Sequence, residues 1–358
     1  MGFAENMLKD LDKRQEAAKQ ASQETENKTE ADTTVGTRRV ASDPATPYVA
    51  SDPAPAQNPA GPVPAQSHRS PGVSSGPGTE RDGLYEKEAT DVIRMVDICQ
   101  AFDKADGTKF VLFDHFNLTI SDFRGQGQFI SIMGASGSGK SQLIKYIAGL
   151  TKPQSGKIFM YGKEYDDKTT VPMVFQQPSC YKWKTVLQNV ELPLKLQGVD
   201  KEEREKKARA MIKLVGLEGQ EDKWARYPDL SGGQRQRVAL ARNLVSNNQI
   251  LLLDECTSAL DILAKRKMQD ILLDIYYSAE VDPTVINVTH SIDEAVYLSN
   301  RIIILKPNPC RIHKVIDVDF GNIRRSPDIR ELPKFNEYVK QVERVMEEIG
   351  DMPSGSDT

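Results

Sequence analysis

The segment that most constrains this chain is Phe129-Ile130-Ser131-Ile132-Met133 running directly into Gly134-Ala135-Ser136-Gly137-Ser138-Gly139-Lys140-Ser141-Gln142. The first five residues read as a buried strand, and Leu143, Ile144, Ile147 and Leu150 follow at helical spacing. A strand, a glycine-rich loop and a helix in that order match the pattern GxxxxGK[ST], whose glycines let the backbone wrap a phosphate chain. Successive N–H groups and the positive end of the helix supply a concavity for the anion. Lys140 is placed to reach the β- and γ-phosphates, and Ser141 to ligate magnesium. The full pattern in this context is far more specific than a glycine-rich turn.

Farther along, Gln249-Ile250-Leu251-Leu252-Leu253 is a continuous apolar strand ending in Asp254-Glu255. Both acids therefore stand at a strand's carboxyl end, where open parallel sheets place their ligands. Asp254 suits a magnesium shell, and Glu255 is placed to polarise an attacking water as general base. An acidic pair after a strand is commonplace alone. Together with the phosphate loop it points to phosphoryl transfer to water.

Between these two motifs stands Leu230-Ser231-Gly232-Gly233-Gln234-Arg235-Gln236-Arg237, which opens a helix carrying Val238, Leu240, Ala241, Leu244 and Val245. In these residues the chain resembles the ATP-binding cassette (ABC) family, whose signature is LSGGQ. Two glycines and a serine at a helix N-terminus form a second anion-binding end. The resemblance implies that Ser231, Gly232, Gly233 and Gln234 cap the γ-phosphate of ATP held by a second cassette, so that two copies sandwich two nucleotides. It further implies adenine stacking on Phe102, contact of Gln176 with magnesium and water, a dimer-interface segment at Ser258-Ala259-Leu260-Asp261, and γ-phosphate hydrogen bonding by His290. Three positions depart from the usual family pattern: Cys256, Ser291 and Gln142 stand where Pro, Asp and Thr or Ser are common. None of them removes a contact to phosphate, magnesium or water.

The resemblance covers residues 93–346. It implies an α/β P-loop NTPase fold with a helical signature subdomain, an ATPase activity, and ATP with Mg2+ as its cofactors. Within it, residues 181–190 and 290–301 are similar to the nitrate, sulfonate and taurine importer ATPases. That branch implies integral membrane permease subunits as partners, an extracytoplasmic solute-binding protein acting indirectly, and a peripheral position on the cytoplasmic side of the inner membrane. The rival functions are a soluble ABC ATPase acting on a ribosome or DNA complex, and a nucleotide-binding scaffold without turnover. The first typically has paired cassettes or a long coiled-coil insertion, and intact Glu255 and His290 argue against the second.

Composition sets the outer limits. The 358 residues carry 47 basic and 51 acidic side chains, a formal charge of −4, which leaves no broad electrostatic footprint for nucleic acid. No run of 18 apolar residues and no secretory signal stands in the sequence. Residues 1–23 have the charge mixture of a short helix, and residues 24–85 are a Pro/Ala/Ser-rich linker expected to be disordered, because it lacks the apolar side chains to offset its ordering entropy. The ATPase domain is expected over residues 91–320, with its helical subdomain at about 178–245, and a helical appendage over 321–350. Cys99, Cys180, Cys256 and Cys310 are far apart, with no CxxC pair and no His at metal-ligand spacing, so they are expected to be reduced structural thiols.

Overall fold

A computed structural model of the chain describes residues 89–105, 107–123, 128–166, 168–246, 248–278, 283–321 and 325–350. The N-terminal helix and linker expected over residues 1–85 lie outside the described residues.

Two sheets organise the described residues. The first is antiparallel, in the order β2-β1-β4-β5, built from β1 (Ala89–Asp103), β2 (Lys109–Phe123), β4 (Ser155–Met160) and β5 (Lys163–Glu164). The second has six strands in the order β10-β9-β3-β8-β7-β6, comprising β3 (Gln128–Gly134), β6 (Met173–Val174), β7 (Ile250–Asp254), β8 (Thr284–Val288), β9 (Arg301–Lys306) and β10 (Arg311–Asp317). Its strands are parallel except for the edge hairpin of β9 and β10.

The continuous apolar runs in the sequence are explained by burial on both faces of the parallel sheet. Side chains alternate across a strand. Ile130, Ile132, Ile250, Leu252, Ile286, Val288, Ile303 and Leu305 join a core shared with the antiparallel sheet and helix α1 (Lys140–Ile147). Their neighbours Phe129, Met133, Leu251, Leu253, Val285, Ile302 and Ile304 enter a second core with the remaining helices. Those helices are α2 (Val186–Val190), α3 (Leu192–Leu196), α4 (Lys201–Leu214), α5 (Gly232–Leu244), α6 (Ile262–Ser278), α7 (Ile292–Leu298) and α8 (Pro333–Gly350).

Helix α8 packs on α7 through an apolar stripe of Phe335, Val342, Val345 and Ile349, preceded by a 3-10 turn at Pro327–Glu331. The buried Arg325 guanidinium secures this end. It donates to the carbonyls of Val296 and Tyr297 at the C-terminus of α7 and to Val318, at 2.8–3.1 Å. A cation at a helix C-terminus satisfies carbonyls that the helix itself leaves bare. His313 faces Glu348 of α8 at 3.6 Å.

The cysteines separate in environment. Cys256 and Cys310 are buried, and burial drives the Cys310 thiol up to about 12 and that of Cys180 to about 11. Cys99 differs: the β1–β2 ladder brings His115 beside it, a neighbour sixteen positions away that no local spacing rule could reveal.

Candidate functional site

Gly134 closes β3 at φ 153°, and a Cβ there would stand 2.4 Å from the Leu305 carbonyl oxygen and 2.7 Å from Ser138 Oγ. Only glycine lets the chain leave the sheet so tightly against β9. The loop then returns through Ser138, whose N–H donates to the Ala135 carbonyl, and enters α1 with Gly139 as N-cap. The first intrahelical bond runs from Leu143 N–H to the Gly139 carbonyl. The N–H groups of Lys140, Ser141 and Gln142 thus stand at the positive end of the helix dipole, without intrahelical acceptors.

Lys140 folds back across this loop. Its ammonium donates to the carbonyls of Gly134 at 2.8 Å and Ala135 at 2.9 Å. Partial burial pulls its pKa below the usual lysine value, against the opposing charges of Glu255 and Asp254. Gln142 turns aside to Thr151 Oγ1 at 2.9 Å.

Both acids are positioned by the β7–β8 ladder. Asp254 pairs with Val288, and the Glu255 N–H donates to the Val288 carbonyl at 2.9 Å. Burial, then the adjacent Glu255 charge, raises the Asp254 pKa, while Lys145 and Lys140 oppose the rise. A perturbed carboxylate beside a half-buried lysine is an electrostatic pattern that marks a candidate functional site. Glu255 adopts φ 46°, and its Oε2 lies 3.3 Å from His290 Nδ1. His290 itself follows β8, so acid and imidazole issue from adjacent strands.

Gln176 joins through an intermediary. Its Nε2 donates to Ser258 Oγ at 3.2 Å, and that hydroxyl donates to the Glu255 carbonyl at 2.8 Å. The structure therefore gathers the 134–142 loop, Gln176, Asp254, Glu255 and His290 at the carboxyl end of the parallel sheet. Phe102 sits at the end of β1 opposite Phe110, with 45% of its surface exposed, and is free to meet a flat ligand.

The signature residues form a separate group. Ser231 is the N-cap of α5: its Oγ accepts from the Gln234 N–H at 3.2 Å, and Gln234 Oε1 accepts from the Ser231 N–H at 2.8 Å. The spacing S-x-x-Q was a visible capping-box signal for this local role. A Cβ on Gly233 would lie 2.9 Å from Ala264 Cβ, so the motif packs against the start of α6. Asp261 caps that same helix, accepting from the Ala264 N–H at 2.9 Å. Among the described residues, the hydrogen bonds of 231–234 stay within the signature helix and none reaches the 134–142 loop.

Sequence reasoning missed three positioning residues. Gln236, wholly buried, donates to the Phe175 carbonyl at 2.7 Å, tying the signature helix to the residue before Gln176. Arg242 does the same farther along the helix, donating to the carbonyl and hydroxyl of Ser179 at 2.8 and 2.7 Å. Glu294, 1% exposed, receives Thr257 Oγ1, Gln269 Nε2 at 3.1 Å and Asn287 Nδ2 at 3.4 Å, and pairs with Lys265 at 3.4 Å. Lys265 also donates to Ser291 Oγ at 3.2 Å. One buried carboxylate thus braces the loop after Glu255 and the loop after His290. A lone Glu in a helical pattern carries no signal of such a role.

Known proteins resemble this chain in sequence and fold. The ABC transporter family model matches residues 114–258. An uncharacterized ABC transporter ATP-binding protein of Methanocaldococcus jannaschii is 40% identical over 244 residues, covering 68% of this chain and 86% of the relative. An aliphatic sulfonates import ATP-binding protein of Bacillus licheniformis is 42% identical over 233 residues, covering 64% and 86% respectively. Among solved structures, a dimeric post-hydrolysis ATP-binding cassette bound to ADP and phosphate superposes with TM-score 0.55 at 31% identity, covering 64% of this chain and all of that one. With its phosphate loop, strand-end acids and signature helix in one cassette fold, this chain belongs to the ABC transporter family as an ATP-binding, ATP-hydrolysing subunit.

Proposed function

We infer that this subunit powers a membrane importer by working as one of a pair of cassettes that close on ATP and reopen after hydrolysis. The observation that carries the reading is the convergence of Lys140, Asp254, Glu255 and His290 at the carboxyl end of the parallel sheet, with Glu255 and His290 in contact at 3.3 Å.

Lys140 and the N–H groups of 136–141 bind the β- and γ-phosphates. The Ser141 hydroxyl, the Asp254 carboxylate and the Gln176 amide are all oxygen donors, the set that a hard cation such as Mg2+ takes. When bound, that ion would neutralise charge on the phosphates. Glu255 orients the attacking water and accepts its proton, and His290 donates toward the γ-phosphate. Catalysis of this kind is mostly placement and charge stabilisation.

Ser231 to Gln234 would serve the nucleotide of the partner copy, as the dimeric cassette with ADP and phosphate makes reasonable. Beside Asp261, Ile262 and Leu263 are 72% and 77% exposed, an apolar pair that a second copy could cover. The Gln176 segment, held by Gln236 and Arg242, leads to Trp183, 69% exposed, and this surface is the candidate contact for a permease. No helix of the described residues is long and apolar enough to cross a membrane, so spanning is assigned to that permease. The chain then sits peripherally on its cytoplasmic face, with a solute-binding protein acting from the far side. An organic sulfonate such as taurine, or nitrate, is the solute class the relatives favour.

The test is Glu255→Gln. The variant is expected to bind ATP, release almost no phosphate, and accumulate as an ATP-bound dimer in size-exclusion chromatography. Unchanged phosphate release would remove Glu255 from the mechanism.

A further inference from the structure

The β1–β2 ladder carries a group of side chains that ATP chemistry does not use. The register of the two strands slips between Met95↔Leu118 and Ile98↔Phe116, and again before Gln100↔Phe113. At the slip, an Asp97 carboxylate oxygen, the Cys99 sulfur and a His115 ring nitrogen all lie within 4.8 Å of one another. His115 Nδ1 is 2.5 Å from Asp97 Oδ1.

This cluster is held from several sides. Asp97 and His115 both adopt left-handed backbone conformations, φ 57° and 49°, which residues with side chains take sparingly. A single amide clamps the two: Asn117 Oδ1 accepts from the Asp97 N–H at 3.0 Å, and Asn117 Nδ2 donates to the His115 carbonyl at 2.9 Å. From β4, Gly156 approaches so closely that a Cβ on it would stand 2.5 Å from the Asp97 carbonyl oxygen. The second ring nitrogen of His115 lies 3.9 Å from Asp114 Oδ1, beyond hydrogen-bond distance but close enough to add negative charge beside the cluster. Asp97 and His115 are exposed and Cys99 is half-buried, so solvent ions have access.

We propose that Asp97, Cys99 and His115 form a binding site for a zinc-class divalent cation, with water completing the coordination. One imidazole nitrogen, one thiolate sulfur and one carboxylate oxygen make a donor set that selects such an ion over magnesium or calcium. Bonds of about 2.0–2.3 Å hold tetrahedral ligand atoms roughly 3–4 Å apart, so these three groups need only side-chain rotation to close on a metal. On binding, a metal–sulfur bond forms and the Cys99 thiol gives its proton to solvent. Any proton on His115, which Asp97 holds more tightly than usual by their hydrogen bond, is likewise displaced.

The experiment uses the untagged full chain, reduced and stripped with chelator, titrated with Co2+ alone. The expected result is one ion per chain with the near-ultraviolet charge-transfer absorption of a cobalt–thiolate bond, reversed by Zn2+. Cys99→Ser loses that absorption although Cys180, Cys256 and Cys310 remain, and His115→Ala weakens binding at least about tenfold. Absence of the band, its survival in Cys99→Ser, or indifference to His115→Ala would each overturn the site. A second measurement needs no variant. Zn2+, but not Mg2+, should shield Cys99 from alkylation in the native chain, and equal labelling in both also overturns it. Neither readout involves ATP turnover, so the site stands or falls apart from the importer reading.

Discussion

Removing the Glu294 carboxylate tests whether a buried brace, rather than the reacting groups alone, holds the catalytic loops. In Glu294→Ala, Thr257 and Gln269 lose this acceptor, Asn287 is left with only Ser131 Oγ at 3.5 Å, and Lys265 loses its ion-pair partner. Breaking one side of a buried pair costs about 3–5 kcal/mol. Lys265 is 30% exposed and keeps Ser291 Oγ at 3.2 Å, which places the cost near the lower end of that range. For a domain of this size each kcal/mol moves Tm by about 2–4 °C, so a fall of roughly 6–12 °C is expected by calorimetry. Thr257 lies two residues beyond Glu255, and Ser291 adjoins His290, so both loops loosen together. Misplacement of about 1 Å can cost a hundredfold in rate. At a temperature where the variant remains folded, kcat should drop at least about tenfold, while KM for ATP changes by less than about threefold, because the phosphate loop is untouched. Glu294→Gln, which keeps the shape and some of the hydrogen bonds, should recover part of both losses. A Tm within about 2 °C of the parent together with normal kcat would refute the brace.

Two further outcomes follow from the site. Gly134→Ala drives a methyl group into the Leu305 carbonyl and Ser138 Oγ at a φ only glycine takes readily, so ATP binding measured by nucleotide fluorescence should weaken at least about tenfold while the circular-dichroism spectrum stays that of a folded protein. Asp254→Asn should raise Tm while abolishing hydrolysis. The folded-state pKa of Asp254 is raised, first by burial and then by Glu255, so its ionised form destabilises the nucleotide-free protein at neutral pH. That penalty fades as pH falls through the raised pKa, and the gain from Asp254→Asn should shrink with it in a pH series of melting scans.

Recognition of a phosphate chain uses contiguous backbone, and the candidate site is legible in the sequence wherever its residues are neighbours along the chain. The strand, loop and helix of 129–150, the apolar strand ending in Asp254-Glu255 and the signature at 231–234 each announce themselves through residue type and local spacing, because their chemistry depends on consecutive N–H groups, helix ends and strand ends. The α/β class that the family resemblance implied agrees with the same runs, since strands buried on both faces cannot alternate apolar with polar. What the sequence could not reveal was every contact whose partners meet only across the fold. The register of β1 on β2 decides that His115 joins Asp97 and Cys99. The docking of α5 decides that Gln236 reaches Phe175, and the packing of α6 and α7 decides that Glu294 gathers Thr257, Lys265, Gln269 and Asn287. Such groups are brought together by strand register and by the packing of one element on another, which local spacing does not encode, so only the tertiary structure could place them.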